Sequence, residues 1–185
     1  MSNPATEAAL NRSGLTISRR DDVAMTHVAL RRGRRADLDA RVSATLGLTL
    51  PDTSRTVEAA GQMAAWAGPD QWLVIGPQEA GTDPSAALAK ALNGVASVVD
   101  VSDSRVIFRV RGASAADVLS LSMGIDLHDK AFKPGDVAIT HASHLGVMVW
   151  RHADGQGYDF ACARTYAVDF GHWLEDACSK RGVFA

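Results

Sequence analysis

Most of the usual marks of a catalytic or membrane protein are missing from this 185-residue chain. It has only two cysteines, Cys162 and Cys178, and their separation is neither a CxxC pair nor a metal-ligand spacing. No apolar run approaches the roughly twenty residues that cross a bilayer, and no signal-peptide-like apolar core opens the chain. These absences place it in a reducing cytoplasm, where both thiols read most simply as small buried apolar groups and a disulfide is the lesser alternative. An excess of one charge is also lacking. The formal net charge is −2, so no global field recruits nucleic acid or an anionic membrane. No GxSxG elbow holds a serine nucleophile, and no GxGxxG or GxxxxGK[ST] follows a strand, so a flavin, dinucleotide or nucleoside triphosphate carried by this chain has no support.

What is present is the composition of an ordinary globular protein, 46% hydrophobic and 22% charged. Residues 1–22 are read as a flexible arm, because Met1–Gly14 is small and polar and precedes any periodic pattern. Val23–Leu30 reads as a strand. Leu38, Val42 and Leu46 put one apolar stripe on a helix over about 36–46, ended by Gly47. Pro51–Thr56 reads as loop. Gly61–Ala67 and Trp72–Ile75 form a hairpin around Gly68-Pro69-Asp70-Gln71, and Ser85 is placed to cap a helix running through Leu88 and Leu92. Val98, Val99 and Val101 make the next strand, with a turn at Ser102-Asp103-Ser104. In Val106–Arg111, Val106, Phe108 and Val110 share one face while Arg109 and Arg111 point the other way. Gly112 ends that strand, and Ser114 caps a helix carrying Ala115, Val118, Leu119 and Ser122. Strands follow at Val137–Ala142, Gly146–Arg151 and Tyr158–Ala163, and the last helix puts Tyr166, Phe170, Trp173, Leu174 and Ala177 on one face. The order strand, helix, strand, strand, helix, strand over 23–102 nearly recurs over 103–185. The expected fold is therefore α+β, two tandem ferredoxin-like (βαββαβ) lobes within a 23–185 domain.

Few side chains suggest a site. His141 and His144, three apart on a strand, would face opposite ways unless Ser143 makes a turn; with no Cys, Asp or Glu between Val137 and His152, a metal site is disfavoured there. His152 and His172 read as ordinary histidines. Asp100, Asp103 and Arg105 could form an acid-base set, but turn bonding and a local ion pair explain them with fewer assumptions. Trp66, Trp72, Trp150 and Trp173 read as core, or as interface where exposed. Arg31, Arg32, Arg34 and Arg35 surround Gly33. Through residue 50 the chain has eight Arg against five acids, and the remainder has eleven Lys and Arg against sixteen acids. The cluster is either a contact for an acidic partner surface or a solvated turn.

The run Asp100-Val101-Ser102, then Gly112, Ala115-Ala116, Leu119 and Ile125-Asp126-Leu127, resembles the central segment of the folate-dependent aminomethyltransferase superfamily. In full, DVSDSR followed by VRGASAADVLSLSMGIDLHDKAFKPG is similar to the gamma-subunit family of heterotetrameric sarcosine oxidases, a likeness that continues through Thr140, Trp150 and Arg164–Trp173. In the aminomethyltransferases an acidic residue on a strand orients folate. The stretch that corresponds here, Gly146-Val147-Met148-Val149-Trp150, has no carboxylate. The resemblance therefore implies a non-catalytic structural subunit of an oxidoreductase complex, with no catalytic, cofactor-binding or metal-binding residue of its own. It also implies alpha, beta and delta partner subunits, alpha making the main contact, that hold FAD, FMN, NAD, tetrahydrofolate and zinc between them. Two alternatives remain at this level: a free-standing folate-binding or aminomethyl-transferring protein, and a gamma-like subunit of a related N-methyl amino acid dehydrogenase.

Overall fold

The structure is a computed structural model, described over residues 10–12, 14–120 and 123–179. The chain divides into two compact units: Asp22–Asp103 forms one, and Met1–Asp21 with Ser104–Ala185 forms the other. Each is built on one antiparallel sheet.

The contiguous unit runs β3 (Val23–Leu30), α1 (Arg35–Leu46), β4 (Thr56–Ala59), β5 (Gln62–Gly68), β6 (Gln71–Pro77), α2 (Pro84–Ala91) and β7 (Ala96–Asp100), with sheet order β4-β5-β6-β3-β7. Val28, Ala64, Trp72, Val74 and Ala96 face the helices and meet Leu38, Val42 and Leu88 in one core. Within it the indole Nε1 of Trp72 donates to the Pro51 carbonyl at 2.8 Å, which satisfies its only polar atom. A helix–sheet contact of another kind joins Thr26 to Ser85, whose buried hydroxyls are 2.6 Å apart. Ser85 is thus not the cap of α2. Asp83 caps it, accepting from Ala86 N at 2.8 Å, and Pro84 takes the first helical position, where no N–H is needed. The expected loop before residue 60 is partly a strand, β4. It turns into β5 through Ala60 and Gly61, both at positive φ (49° and 77°) as a two-residue hairpin with strand-matched twist requires.

The other unit consists of β1 (Leu10–Arg12), β2 (Leu15–Arg20), β8 (Arg105–Arg111), α3 (Ala115–Ser120), β9 (Val137–Ala142), β10 (Leu145–Arg151), β11 (Gly157–Ala163), a 3-10 turn at Arg164–Tyr166 and α4 (Ala167–Ser179). Its sheet order is β1-β2-β8-β11-β10-β9. Here the reading of an arm over residues 1–22 needs correction. Leu15–Arg20 pairs antiparallel with β8 from Thr16↔Arg111 to Arg20↔Ile107, and Leu15 and Ile17 are buried in the helix-facing core. Residues 1–9 and 13 lie outside the described residues. Gly112 shows how closely the early segment approaches: at φ 138°, a Cβ there would lie 2.5 Å from the Gly14 carbonyl oxygen and 2.7 Å from Leu15 Cδ2.

The two sheets are built alike. In both, a strand, a helix, a three-strand meander and a second helix occur in the same order and lead to a strand beside the first. In the contiguous unit that last strand is β7; in the other it is β2, drawn from the start of the chain.

Phe170 organises the helix layer over β8 and β11. Its ring packs edge-on to Phe108 (centroids 5.4 Å), tilted on Phe160 (5.6 Å) and stacked on Trp173 (5.3 Å). Phe170, Leu174 and Ala177 are buried, whereas Trp173 is half-buried and Tyr166, in the 3-10 turn, is 46% exposed. The expected five-residue face thus loses Tyr166, because α4 starts one residue later and the tighter turn rotates that side chain away. Ser122 and the Cys178 side chain lie outside the described residues. Among the described residues no helix is long and apolar enough to cross a membrane.

Leu15→Ala should lower stability by about 2–5 kcal/mol, the range for removing a fully buried leucine. A melting temperature within a degree of the parent's would remove β2 from the core. Phe170→Ala is expected to cost about 3–5 kcal/mol and Trp173→Ala clearly less, since one ring has partners on every side and the other keeps a solvent face. The order of their urea midpoints tests this.

Candidate functional site

The residues that looked chemically suggestive in the sequence lie on separate elements. His141, next to last in β9, is exposed, and Ser143, at φ 54°, makes the turn that carries His144, whose Nδ1 lies 3.1 Å from the Ser143 hydroxyl. His172 is exposed on α4. Among the described residues no group of three or more His, Cys, Asp or Glu is placed to hold a metal. Asp100 takes the Ser102 hydroxyl at 2.6 Å and the Ser102 N–H at 2.9 Å, which holds its carboxyl below the usual range; the Ser102 hydroxyl in turn meets Met25 N at 2.9 Å. Arg105 opens β8, and its carbonyl accepts from Arg164 at 3.2 Å. Cys162 is a buried free thiol, pushed up to about 11 by burial and so held as a neutral apolar group.

The arginine cluster is largely committed. Arg34 pairs with Asp37 at 2.8 Å. Arg35 holds Asp39 at 2.8 Å and Asp52 at 2.6 Å, donates to the Leu50 carbonyl at 3.3 Å, and lies 5.0 Å over the Trp72 ring. It is a bracket over the core that joins α1 to the loop before β4. Arg31 and Arg32 remain exposed.

The strongest polar constellation was not foreseen and centres on Asp159. The alternation of β11 turns Tyr158, Phe160 and Cys162 toward the helices and leaves Asp159 on the opposite face, directly across from Arg109 on β8 and Trp150 on β10. Its carboxylate is 2% exposed as a residue and accepts two hydrogen bonds from Arg109, Nε to Oδ1 and Nη2 to Oδ2, both 2.8 Å. His152, just past β10, adds Nε2 to Oδ1 at 2.8 Å, and Arg20 Nη1 on β2 stands 4.0 Å from Oδ2. Burial alone would raise the Asp159 pKa, but the bonds from Arg109 and His152 outweigh it and the carboxyl sits below its ordinary value. An ionised carboxylate only accepts, so His152 carries its proton on Nε2 toward Asp159. The buried Nδ1 has no protein partner, and Gly157 leaves it room, since a Cβ there would crowd both His152 and the Val110 carbonyl. Next to it, Arg151 donates to the Phe132 carbonyl at 2.8 Å and pairs with Asp129 at 2.8 Å, binding the β9–β10 end of the sheet to the loop before it.

This arrangement joins strands rather than poising a proton. Both oxygens of Asp159 are engaged by cations or a ring N–H, the ionised form is favoured, and the stretch Gly146–Trp150 beside it, buried from Val147 onward, brings no second carboxylate. Asp159 was readable in principle: an acid inside an otherwise apolar strand, with an arginine on the polar side of the neighbouring strand, signals a cross-strand ion pair. What the sequence withheld was the pairing of β8 with β11, some fifty residues apart.

Among solved structures, one chain of a heterotetrameric sarcosine oxidase from Corynebacterium sp. U-96 matches with a TM-score of 0.79, covering 93% of this chain and 87% of that one at 24% identity. The aminomethyltransferase T of the glycine cleavage system from Bartonella henselae matches with a TM-score of 0.63, covering 89% of this chain and 46% of that one at 17% identity. The class is thus an α+β fold with two antiparallel sheets, shared with both of these proteins. Residues 32–180 match the model of the sarcosine oxidase, gamma subunit family, and the chain belongs to that family. It is 32% identical over 145 residues to a sarcosine oxidase subunit gamma from Arthrobacter sp., covering 76% of this chain and 70% of the relative. A second subunit gamma, from Corynebacterium sp. (strain P-1), is 29% identical over 168 residues, covering 89% and 81%.

Asp159→Asn should cost about 2–3 kcal/mol at neutral pH, less than the ~3–5 for breaking a fully buried pair because the Arg109 side chain keeps 29% of its surface in solvent. The folded-state pKa of Asp159 is depressed, so its contribution is complete above the unfolded value of about 3.9 and is lost as pH falls through the folded value. Urea midpoints of parent and variant should therefore converge toward pH 3. A gap that is constant from pH 7 to 3 would show that the carboxylate does not carry the effect.

Proposed function

We propose that this chain is the gamma subunit of a heterotetrameric sarcosine oxidase and acts as a structural, non-catalytic component of it. The observation that carries this reading is the family match over residues 32–180, which takes in both units, supported by relatives that are themselves named subunit gamma. In this reading the assembly oxidises sarcosine to glycine, forming hydrogen peroxide and, with tetrahydrofolate, methylenetetrahydrofolate. The alpha and beta subunits hold FAD, FMN, NAD and the folate, the small delta subunit holds zinc, and this chain packs mainly against alpha in a bacterial cytoplasm. The saturated Asp159 cluster and the carboxylate-free Gly146–Trp150 strand support a scaffold that supplies no acid or base. We read both units as ferredoxin-like; the order β4-β5-β6-β3-β7, with β4 added at the edge, favours this for the contiguous unit, and β2 stands in for the last strand of the other.

A second reading, a free-standing folate-binding or aminomethyl-transferring protein, draws on the aminomethyltransferase fold. The two readings separate in solution. Co-expressed with the alpha, beta and delta genes of the same genome, the chain should co-purify in one complex that produces hydrogen peroxide from sarcosine, while the isolated chain should be colourless, metal-free and silent in a titration with a reduced folate. Saturable folate binding by the isolated chain, or recovery of a complete active complex that excludes it, would decide for the second reading or against both.

A further inference from the structure

Edge strands in native sheets are normally protected, by being short, by charge, by a bulge or by a covering segment, because their free backbone groups otherwise recruit foreign strands. Three of the four sheet edges here follow that rule. β1 has three residues; β4 has four and an exposed Glu58; β9 is overlaid where Met123 bridges Ala142 and Gly124 N donates to the His141 carbonyl at 3.3 Å. The fourth, β7, is the longest of the edges left unpaired among the described residues, and its one charge, Asp100, stands at its last position. Its five residues, Ala96-Ser97-Val98-Val99-Asp100, contain no Lys or Pro, and among the described residues no strand or overlying segment pairs with its outer side at Val98.

The hydrogen-bond parity of β7 is set at its two ends, by Arg31 N donating to Val95 O and Val101 N to Met25 O, both at 2.9 Å. Residues 95, 97, 99 and 101 therefore direct their backbone groups to β3, and Ala96, Val98 and Asp100 direct theirs outward. Ala96 N is taken by Leu92 O at 3.1 Å, which leaves the Val98 and Asp100 groups along the edge. Val99 is 51% exposed beside them, one of few large apolar side chains in that state among the described residues, and Asp100 is an exposed carboxylate held ionised by Ser102. The repeated architecture adds an independent reason. β2 occupies the same sheet position as β7, and there the outer edge is filled by β1, from Leu10↔Ile17 to Arg12↔Leu15. The position accepts an added strand in one unit and, among the described residues, has none in the other.

We propose that the outer edge of β7 is a strand-addition site that takes an extended segment of a partner subunit, one that places an apolar residue beside Val99 and a Lys or Arg beside Asp100. The occupant follows from the edge itself: main-chain bonding from Val98 and Asp100 asks for an extended backbone, Val99 for apolar cover, and the carboxylate for a cation. The proposal rests on the subunit reading above and adds the place and mode of contact.

The test uses the complex co-expressed with its partner subunits. Val98→Pro removes an outward N–H and leaves the β3–β7 ladder untouched, while Val99→Lys replaces apolar cover with charge and no backbone change. Each should weaken binding of the purified chain to the remaining subunits by about tenfold or more, and the charge control Ile139→Lys, on β9, should stay within about twofold of the parent. Amide exchange at Val98 and Asp100 should slow on assembly. If the parent itself does not assemble, the subunit reading has failed, and the edge proposal with it. If the parent assembles and Val99→Lys binds within twofold of it with unchanged exchange at Val98, the edge proposal alone is overturned; Val99→Lys decides should Val98→Pro fail to fold. Dimerisation of the isolated chain that both variants abolish, with assembly unaffected, would also overturn it by assigning the edge to a second copy.

Discussion

The pairing of Leu15–Arg20 with β8 is the contact on which half of this structure depends. β8 pairs with β11 on one side and with β2 on the other, and without β2 that second side would have no strand partner among the described residues. Leu15 and Ile17 also supply the apolar cover that the helix-facing core needs at that edge, alongside Val110 and Phe108. The absence of a side chain at Gly112 lets the two segments approach, and the hairpin to β1 then closes the new edge. A short stretch thus supplies backbone bonding, burial and edge protection together.

On the opposite face of the same sheet the Asp159 cluster holds strands by charge. Arg109, Arg20 and His152 come from β8, β2 and the end of β10, so one carboxylate ties three elements to β11. Its chemistry is spent in doing so. A carboxylate that accepts a bidentate arginine and a ring N–H has little basicity left. Arg35 has the equivalent part in the contiguous unit: it pairs with Asp39 within α1, and its ion pair to Asp52, its bond to the Leu50 carbonyl and its contact with the Trp72 ring bind the helix to the loop that covers Trp72.

Local signals carried much of the fold. The alternation of Val106–Phe108–Val110, the stripe of Leu38 and Val42, and the turn residues at Pro69–Asp70 and Asp154–Gly155 each announce an element in a handful of positions, and the structure has those elements. What escaped depended on partners far away in sequence. β2 has two apolar residues at period two and reads as part of a polar arm until β8 is placed beside it. β4 is four residues long, below the length at which alternation is visible. Ser85 has the right type and nearly the right place for a cap, but a proline-led helix with Asp83 ahead of it had the stronger claim, and the serine hydroxyl went inward to Thr26. Asp159 escaped for the same reason as β2, since an ion pair across strands shows itself only once the register is known.

The early position of β2 also orders events during synthesis. Residues 22–103 form a continuous unit whose every strand has its neighbours within that span, so it can fold as soon as Asp100 has left the ribosome. Leu15–Arg20 emerges before any of it but has no place to go until β8 appears, and the sheet it borders is complete only after β11. A finished unit is thus held between an early strand and its late partners, and the loop to be closed spans some ninety residues, a separation that favours slow, late docking. Through that interval Leu15 and Ile17 travel uncovered, so the same residues that complete the native sheet are those a nascent chain most needs to shield from other strands.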